Sequence, residues 1–172
     1  AEEELKRSEA RFQTLFELSP VAMSFSVSSD PQSEEQAPPR RNQAWYKTFG
    51  YSADMIKGNA DPSLDFWADP DQREHSMQAL RQHGKSVDET QLRHASGELL
   101  TIIVSSRLIE SQGSQMMLSA FFDVTRQRRT EQTIRDLNAS LEERIQLRTA
   151  ELDTARQAAE AASIAKSTFL AN

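Results

Sequence analysis

From Thr125 to Asn172 the chain contains no proline and no glycine. Nothing in that run obliges a helix to stop. As one helix it would extend about 70 Å, at roughly 1.5 Å per residue. That is far longer than a domain of this size can bury, and most of its residues are polar. Helices so long and so polar usually pair with a partner. Ile134, Leu137 and Leu141 follow a three-four spacing. Ile145, Leu152, Ala155, Ala159, Ala162, Lys166 and Phe169 continue the seam, displaced by one position. Two successive steps of four, Leu137 to Leu141 to Ile145, form a stutter, which locally unwinds a coiled coil. Beyond it alanines dominate, so two helices could approach closely yet bury little area. The expectation is a homodimeric coiled coil over residues 126–172. It is either a plain dimerisation rod or a rod whose register can shift, since a relay needs two packings of similar energy.

The run is entered from Met116-Met117-Leu118-Ser119-Ala120-Phe121-Phe122-Asp123-Val124-Thr125. Met116, Leu118, Ala120, Phe122 and Val124 alternate with Met117, Ser119, Phe121 and Asp123. That is period two, with apolar residues on both faces, as in a well-buried strand. Asp123 and Thr125 are both able to accept a hydrogen bond from a free amide in the first helical turn. The acidic Asp123 also suits the positive end of a helix. A core strand therefore hands over directly to the long helix, and a change in the core could move it.

Composition narrows the rest. The 172 residues are 37% hydrophobic, with a mean hydropathy of -0.65. This suits one domain of about 100–125 residues plus an extended element. A formal net charge of -6 argues against a general nucleic-acid binder. There is no cysteine, which excludes disulfides, thiolate chemistry, cysteine-ligated metals and a cysteinyl flavin adduct. No apolar run reaches the roughly 18–20 residues of a membrane span, and no signal peptide is visible. A cytoplasmic location follows as an expectation for this piece. Because the chain begins and ends inside helical patterns, it reads as part of a longer protein that could carry a membrane anchor.

Taken in order, residues 2–18 read as a helix with Leu5, Phe12, Leu15 and Phe16 on a broad face, stopped at Ser19-Pro20. It either covers the domain or pairs with its counterpart in a dimer. Residues 21–27 alternate weakly, as a first strand. Residues 28–41, with Pro31, Pro38, Pro39 and Glu34-Glu35, have loop composition. Ala44, Trp45 and Phe49 fit a short helix ended by Gly50. Ser52 opens another, with Met55 and Ile56 inward and Gly58 as its stop. Asp61-Pro62 and Asp69-Pro70 each place an N-cap before a proline at the first helical position. The second opens a helix to His83, closed by Gly84. Residues 85–94 and 99–109 read as strands around the turn Ala95-Ser96-Gly97-Glu98. A further turn at Ser111-Gln112-Gly113-Ser114 leads into the junction strand. Together these make an antiparallel α+β domain with helices on one face of the sheet.

Five pieces carry a resemblance: Arg11-Phe12-Gln-Thr-Leu-Phe16-Glu-Leu-Ser-Pro20, Asn42-Gln-Ala-Trp-Tyr-Lys-Thr-Phe-Gly50-Tyr51, Met55-Ile-Lys-Gly58, His94-Ala-Ser-Gly97-Glu and Phe122-Asp123-Val124-Thr125. In this order and spacing, residues 5–125 resemble a PAS domain. The resemblance implies a five-stranded antiparallel sheet with short helices across it, and makes Asp123 and Thr125 the exit motif that couples core to outgoing helix. One departure is that the place of the family's second strand holds Ala37-Pro-Pro-Arg-Arg41, a poor strand. Ser163-Ile-Ala-Lys166-Ser-Thr-Phe169-Leu170-Ala-Asn172 resembles the start of a sensor histidine kinase dimerisation helix, ending before the phospho-accepting histidine. Leu141-Glu-Glu-Arg-Ile145-Gln-Leu-Arg-Thr-Ala-Glu-Leu152 resembles the linkers of such kinases.

The expected organisation is an N-terminal helix or linker over 1–19, a PAS-like sensory domain over 20–125, and an output helix over 126–172. Expected partners are a second copy, through the long helix and the N-terminal helix, a downstream kinase domain, and a small-molecule ligand for the sensory core. A ligand-free relay module and a haem-based gas sensor are the alternatives.

Candidate site residues follow from this frame. Trp45, Phe49, Phe66 and Trp67 could line a pocket between helices and sheet, or be plain core. Thr101, Ser105, Ser106, Arg107 and Ser119 lie on strands that would border the same cavity; an inward Arg107 could bind a carboxylate, but strand parity leaves its direction open and the expectation is a solvated arginine. Some PAS domains bind haem through a histidine on the helix that here carries His75. At 100° per residue His75 lies about 160° from Met77 and about 140° from Leu80, so it should face water. His83, in the last turn, suits the helix's negative end. His75 and His83 are too far apart for an i, i+4 metal clamp. No cofactor is named by the sequence and no catalytic constellation occurs, so this piece should not itself be an enzyme.

Overall fold

A computed structural model describes residues 2–28, 39–56, 63–111 and 114–171. The chain forms two compact units, residues 1–126 and 127–172. The first holds α1 (Glu2–Leu18), β1 (Ala22–Ser28), β2 (Arg40–Arg41), α2 (Gln43–Phe49), α3 (Ala53–Ile56), α4 (Ser63–Phe66), α5 (Pro70–His83), β3 (Lys85–Arg93), β4 (Leu99–Ser111) and β5 (Ser114–Asp123). The helix α6 (Thr125–Leu170) begins at its end.

The five strands form one sheet in the order β2-β1-β5-β4-β3, with every neighbouring pair antiparallel. The poor strand expected near Arg41 is present, shortened to two residues on the sheet edge. Gly58 and the Asp61-Pro62 pair lie outside the described residues.

Local chemistry places the helix ends. Asp69 Oδ1 accepts from the amides of Asp71 and Gln72 at 3.0 and 3.3 Å, with Pro70 as the first helical residue. Gly84 ends α5 in the left-handed region at φ 69°, which glycine reaches without steric cost. Gly50 ends α2 in the same way at φ 72°. There a Cβ would also come within 2.4 Å of the His94 ring, so glycine is required twice over.

The core lies between the sheet and α2 and α4. Its buried residues are Ala22, Trp45, Phe49, Phe66, Leu92, Leu100, Ile102, Val104 and Phe121. Ile102 and Val104 face inward on β4, so Ile103 and Ile109 point to the other side. On β5 the core takes Ser119 and Phe121, while Phe122 is exposed. The outer face of β1 is covered too: Phe25 packs against Phe16 and Phe12 of α1, with centroids 5.0 and 5.6 Å apart. Two expected apolar contacts fail. Leu15 of α1 and Met55 of α3 are exposed, while Phe16 and Ile56 carry those contacts instead. On α5 the buried pair is Ser76 and Leu80, with Met77 half-buried.

Candidate functional site

The junction between β5 and α6 is built from backbone and three short polar side chains. The amide of Val124 donates to the carbonyl of Thr101 at 2.9 Å, extending the β4–β5 pairing by one step. Asp123 Oδ1 accepts from the Thr125 amide at 2.9 Å. It thereby satisfies one of the free donors of the first turn of α6. Thr125 does something else. Its Oγ1 accepts from the Thr101 amide at 2.9 Å and lies 3.5 Å from the Thr101 carbonyl. Thr125 is buried. Both residues were expected to cap; the structure divides the work, with Asp123 capping and Thr125 clamping the helix start to β4. Gln91 of β3 donates to Thr101 Oγ1 at 2.8 Å. Thr101 is thus held from the neighbouring strand as well.

A second polar centre escaped the sequence reading. Asn42 is fully buried. Its Oδ1 accepts from the amides of Met23 and Trp45 at 2.9 and 3.0 Å. Its Nδ2 donates to the carbonyls of Phe16 and Val21 at 3.0 and 2.8 Å. One side chain ties α1, β1 and the start of α2 together. The available signal was Asn directly before a helix, an N-cap pattern.

The aromatic residues picked as pocket lining come together as packed core. Trp45, Phe49 and Phe66 lie 4.8–5.4 Å apart between ring centroids, and Phe121 joins them at 5.6 Å from Phe49. Trp67 is half-buried against this cluster and bridges to Leu92. Arg107 stands exposed on the opposite face of the sheet, together with Thr101 and Ser105; only Ser106 and Ser119 of that group face the helices. Tyr51 packs on Trp45 at 5.8 Å and donates to the Arg93 carbonyl at 3.2 Å. Burial raises its pKa above the usual phenol value, with the Arg93 charge opposing and Asp65 adding to the rise.

Two of the histidines are placed apart from that cluster. His75 and His83 are exposed on α5. His75 projects away from buried Ser76 and Leu80, so it does not fit an axial ligand to a haem held inside the domain. His94 Nδ1 accepts from the Ser96 amide at 3.0 Å within the turn. Among the described residues, no group of three or more His, Cys, Asp or Glu is placed to hold a metal ion. Among them, no helix is long and apolar enough to cross a membrane.

On α6 the seam residues Ile134, Leu137, Leu141, Ile145, Leu152 and Phe169 are 52–82% exposed. Its other faces carry short-range ion pairs, Arg128–Glu131, Arg148–Glu151 and Arg156–Glu160. Glu131 has its carboxyl pKa lowered by hydrogen bonds, first from Gln127 and then from Arg128. Such exposed pairs are screened by water and support a helix only weakly.

Five antiparallel strands, short helices over one face and a long helix leaving the last strand define an α+β domain of the PAS type. Solved structures agree. An RNA-binding light-oxygen-voltage receptor matches with a TM-score of 0.59 and 18% identity, over 78% of this chain and 38% of that one. This chain therefore spans well under half of that receptor. A LOV protein from Rhodobacter sphaeroides matches at 0.55 and 16%, over 70% and 69% of the two chains. A PAS domain from Colwellia psychrerythraea matches at 0.53 and 17%, over 69% and 98%. No protein-family model matches the chain, and no curated protein does. At these identities the likeness establishes the fold.

Proposed function

We propose that this chain is the sensory and relay module of a two-component sensor histidine kinase. It passes a conformational change from the PAS core, through Asp123-Val124-Thr125, to a coiled coil formed with a second copy. The junction carries this reading. Thr125 belongs to the last strand's hydrogen-bonding pattern and to the first turn of the output helix at once. A shift of β4 against β5 would therefore displace the helix start. The exposed seam of α6 supports pairing, since side chains of this size gain about 1.5–3 kcal/mol each on full burial. The downstream partner in this reading is a cytoplasmic kinase domain.

Two measurements test it. Native mass spectrometry should give a dimer; a monomer at micromolar concentration would remove the pairing step. Thr125→Val, which keeps shape but loses the hydroxyl, should uncouple the helix start from β4. Amide exchange at Thr101 and in the first turn of α6 should rise about tenfold or more, for a hydrogen bond worth about 1–1.5 kcal/mol. Unchanged exchange at both places would show that the clamp transmits nothing. Asp123→Ala should raise exchange in the first turn of α6 alone, for a cap worth about 1 kcal/mol.

A further inference from the structure

The helix-facing side of the sheet changes character along its strands. One end is the aromatic and aliphatic core. Next to it a single register row crosses all five strands: Arg41, Ser24, Ser119, Ser106 and Ser86, with Met117 and Leu108 beyond it on the same face. Residues opposite one another share a face, so this row and Ser26 beside it face the helices. Most of the row is satisfied within the protein. Ser106 and Ser119 bond each other at 2.8 Å. Ser86 donates to Asp88, which also accepts from Ser76 at 2.7 Å. The Arg41 guanidinium lies 4.6 Å from the centroid of the Trp45 ring.

Ser24 and Ser26 are different. They are only 7% and 5% exposed. Among the described residues, neither hydroxyl has a hydrogen-bond partner. Two buried hydroxyls without a partner among the described residues invite an occupant, because an unmade buried hydrogen bond is costly.

We propose that Ser24 and Ser26 seat a small uncharged polyol, and that this is the ligand of the sensory reading above, on which the proposal depends. The two side chains lie two residues apart on one strand, about 7 Å. A short polyol can bridge that span with a hydroxyl for each. Every serine hydroxyl donates once and accepts twice, as does every polyol hydroxyl. An ion would fare worse: Arg41 and Asp88 are already engaged at the two sheet edges, and neutral hydroxyls compensate a buried charge poorly.

The probes are glycerol, erythritol, xylitol and sorbitol, with succinate and malate as charged counterparts, each at about 5 mM, well below osmolyte concentrations. The readout is amide chemical shifts of the whole chain. A saturable shift at Ser24, Ser26 and Ser119 with at least one polyol is expected. It should weaken about tenfold in Ser24→Ala and again in Ser26→Ala, one hydrogen bond each, with tryptophan fluorescence unchanged. Shifts with the dicarboxylates alone, or with no probe, would overturn the proposal; the second result would leave water as the only occupant. A failed titration with the dimer and the Thr125 dependence intact removes the ligand and keeps the relay. A monomer that binds a polyol does the reverse.

Discussion

Within residues 1–126, Phe49 and Ile102 are wholly buried, and Asn42 is sealed inside with four hydrogen bonds. Within residues 127–172 the apolar seam from Ile134 to Phe169 stands more than half exposed. The first unit completes its core with its own side chains. Among its described residues the second has local hydrogen bonds, surface ion pairs and an exposed apolar stripe. Most helical stability in proteins comes from packing an amphipathic face. The first unit is therefore specified by its own packing, and under the proposed pairing the second would be specified by its partner. The relay proposed above needs this asymmetry, since a rigid reader must act on an element that has more than one acceptable packing.

The largest effects should fall on the self-sufficient unit. Phe49→Ala should cost about 3–5 kcal/mol, the usual loss for emptying a buried aromatic site. Both tryptophans, Trp45 and Trp67, lie in this unit, so fluorescence during urea unfolding reports it alone. A loss under about 1 kcal/mol would mean the site collapses easily and the core is not tightly specified. Asn42→Ala comes next, at about 3 kcal/mol. It takes the side-chain partner from the Met23 amide and the Val21 carbonyl, and one of two partners from the Trp45 amide and the Phe16 carbonyl, and an unsatisfied buried group is costly. Asn42→Asp sharpens the point. It keeps the single Oδ1 acceptor toward the Met23 and Trp45 amides but turns a donor toward two carbonyls into a negative oxygen, so it should not rescue stability. Full rescue would show that only the N-cap matters.

On the long helix the expectation is inverted. Leu141→Asp should leave the tryptophan-detected unfolding of the first unit within about 0.5 kcal/mol, as for an exposed position. It should shift sedimentation from dimer to monomer. A destabilised core with an intact dimer would erase the division between the two units.

How far this was legible depended on whether local chemistry or tertiary packing decided the outcome. The caps at Asp69, Gly50 and Gly84 could be read directly, because each depends on a few neighbouring residues. The antiparallel order and the α+β class followed from alternation and turns. Which face of β5 turns inward could not be read, because both faces are apolar and α1 covers part of the outer side at Phe25. Phe121 was chosen over Phe122 by the packing of Phe49 and Phe66, distant in sequence. The serines of β1 were hidden for a related reason. A serine in a half-buried strand reads as the solvent side, yet here Ser24 and Ser26 face the helices and Phe25 faces α1. Arg107 followed the same parity to the exposed side. The junction was visible in sequence as two polar residues before a helix. The partner of Thr125, Thr101, is a backbone group 24 residues away, and no local pattern could name it.

The smallest expected effect separates the units by pH. Both tyrosines, Tyr46 and Tyr51, lie in the first unit, and none lies in the second. Tyr51 is held neutral by burial, which raises its pKa, and its hydroxyl donates to Arg93. In the unfolded chain a tyrosine ionises near about 10. Because the folded value is higher, the folded state keeps its proton when the unfolded chain has lost it. The contribution is therefore fully present below about pH 10 and is lost as pH rises through the folded value. Tyrosine absorbance during an alkaline titration should show one phenol ionising late. Tyr51→Phe should remove that late step and flatten the fall in urea midpoint above about pH 10, while helix content contributed by α6 follows the same course in both proteins. An equally steep fall in the variant would assign the alkaline loss to other groups and leave Tyr51 a packing residue only.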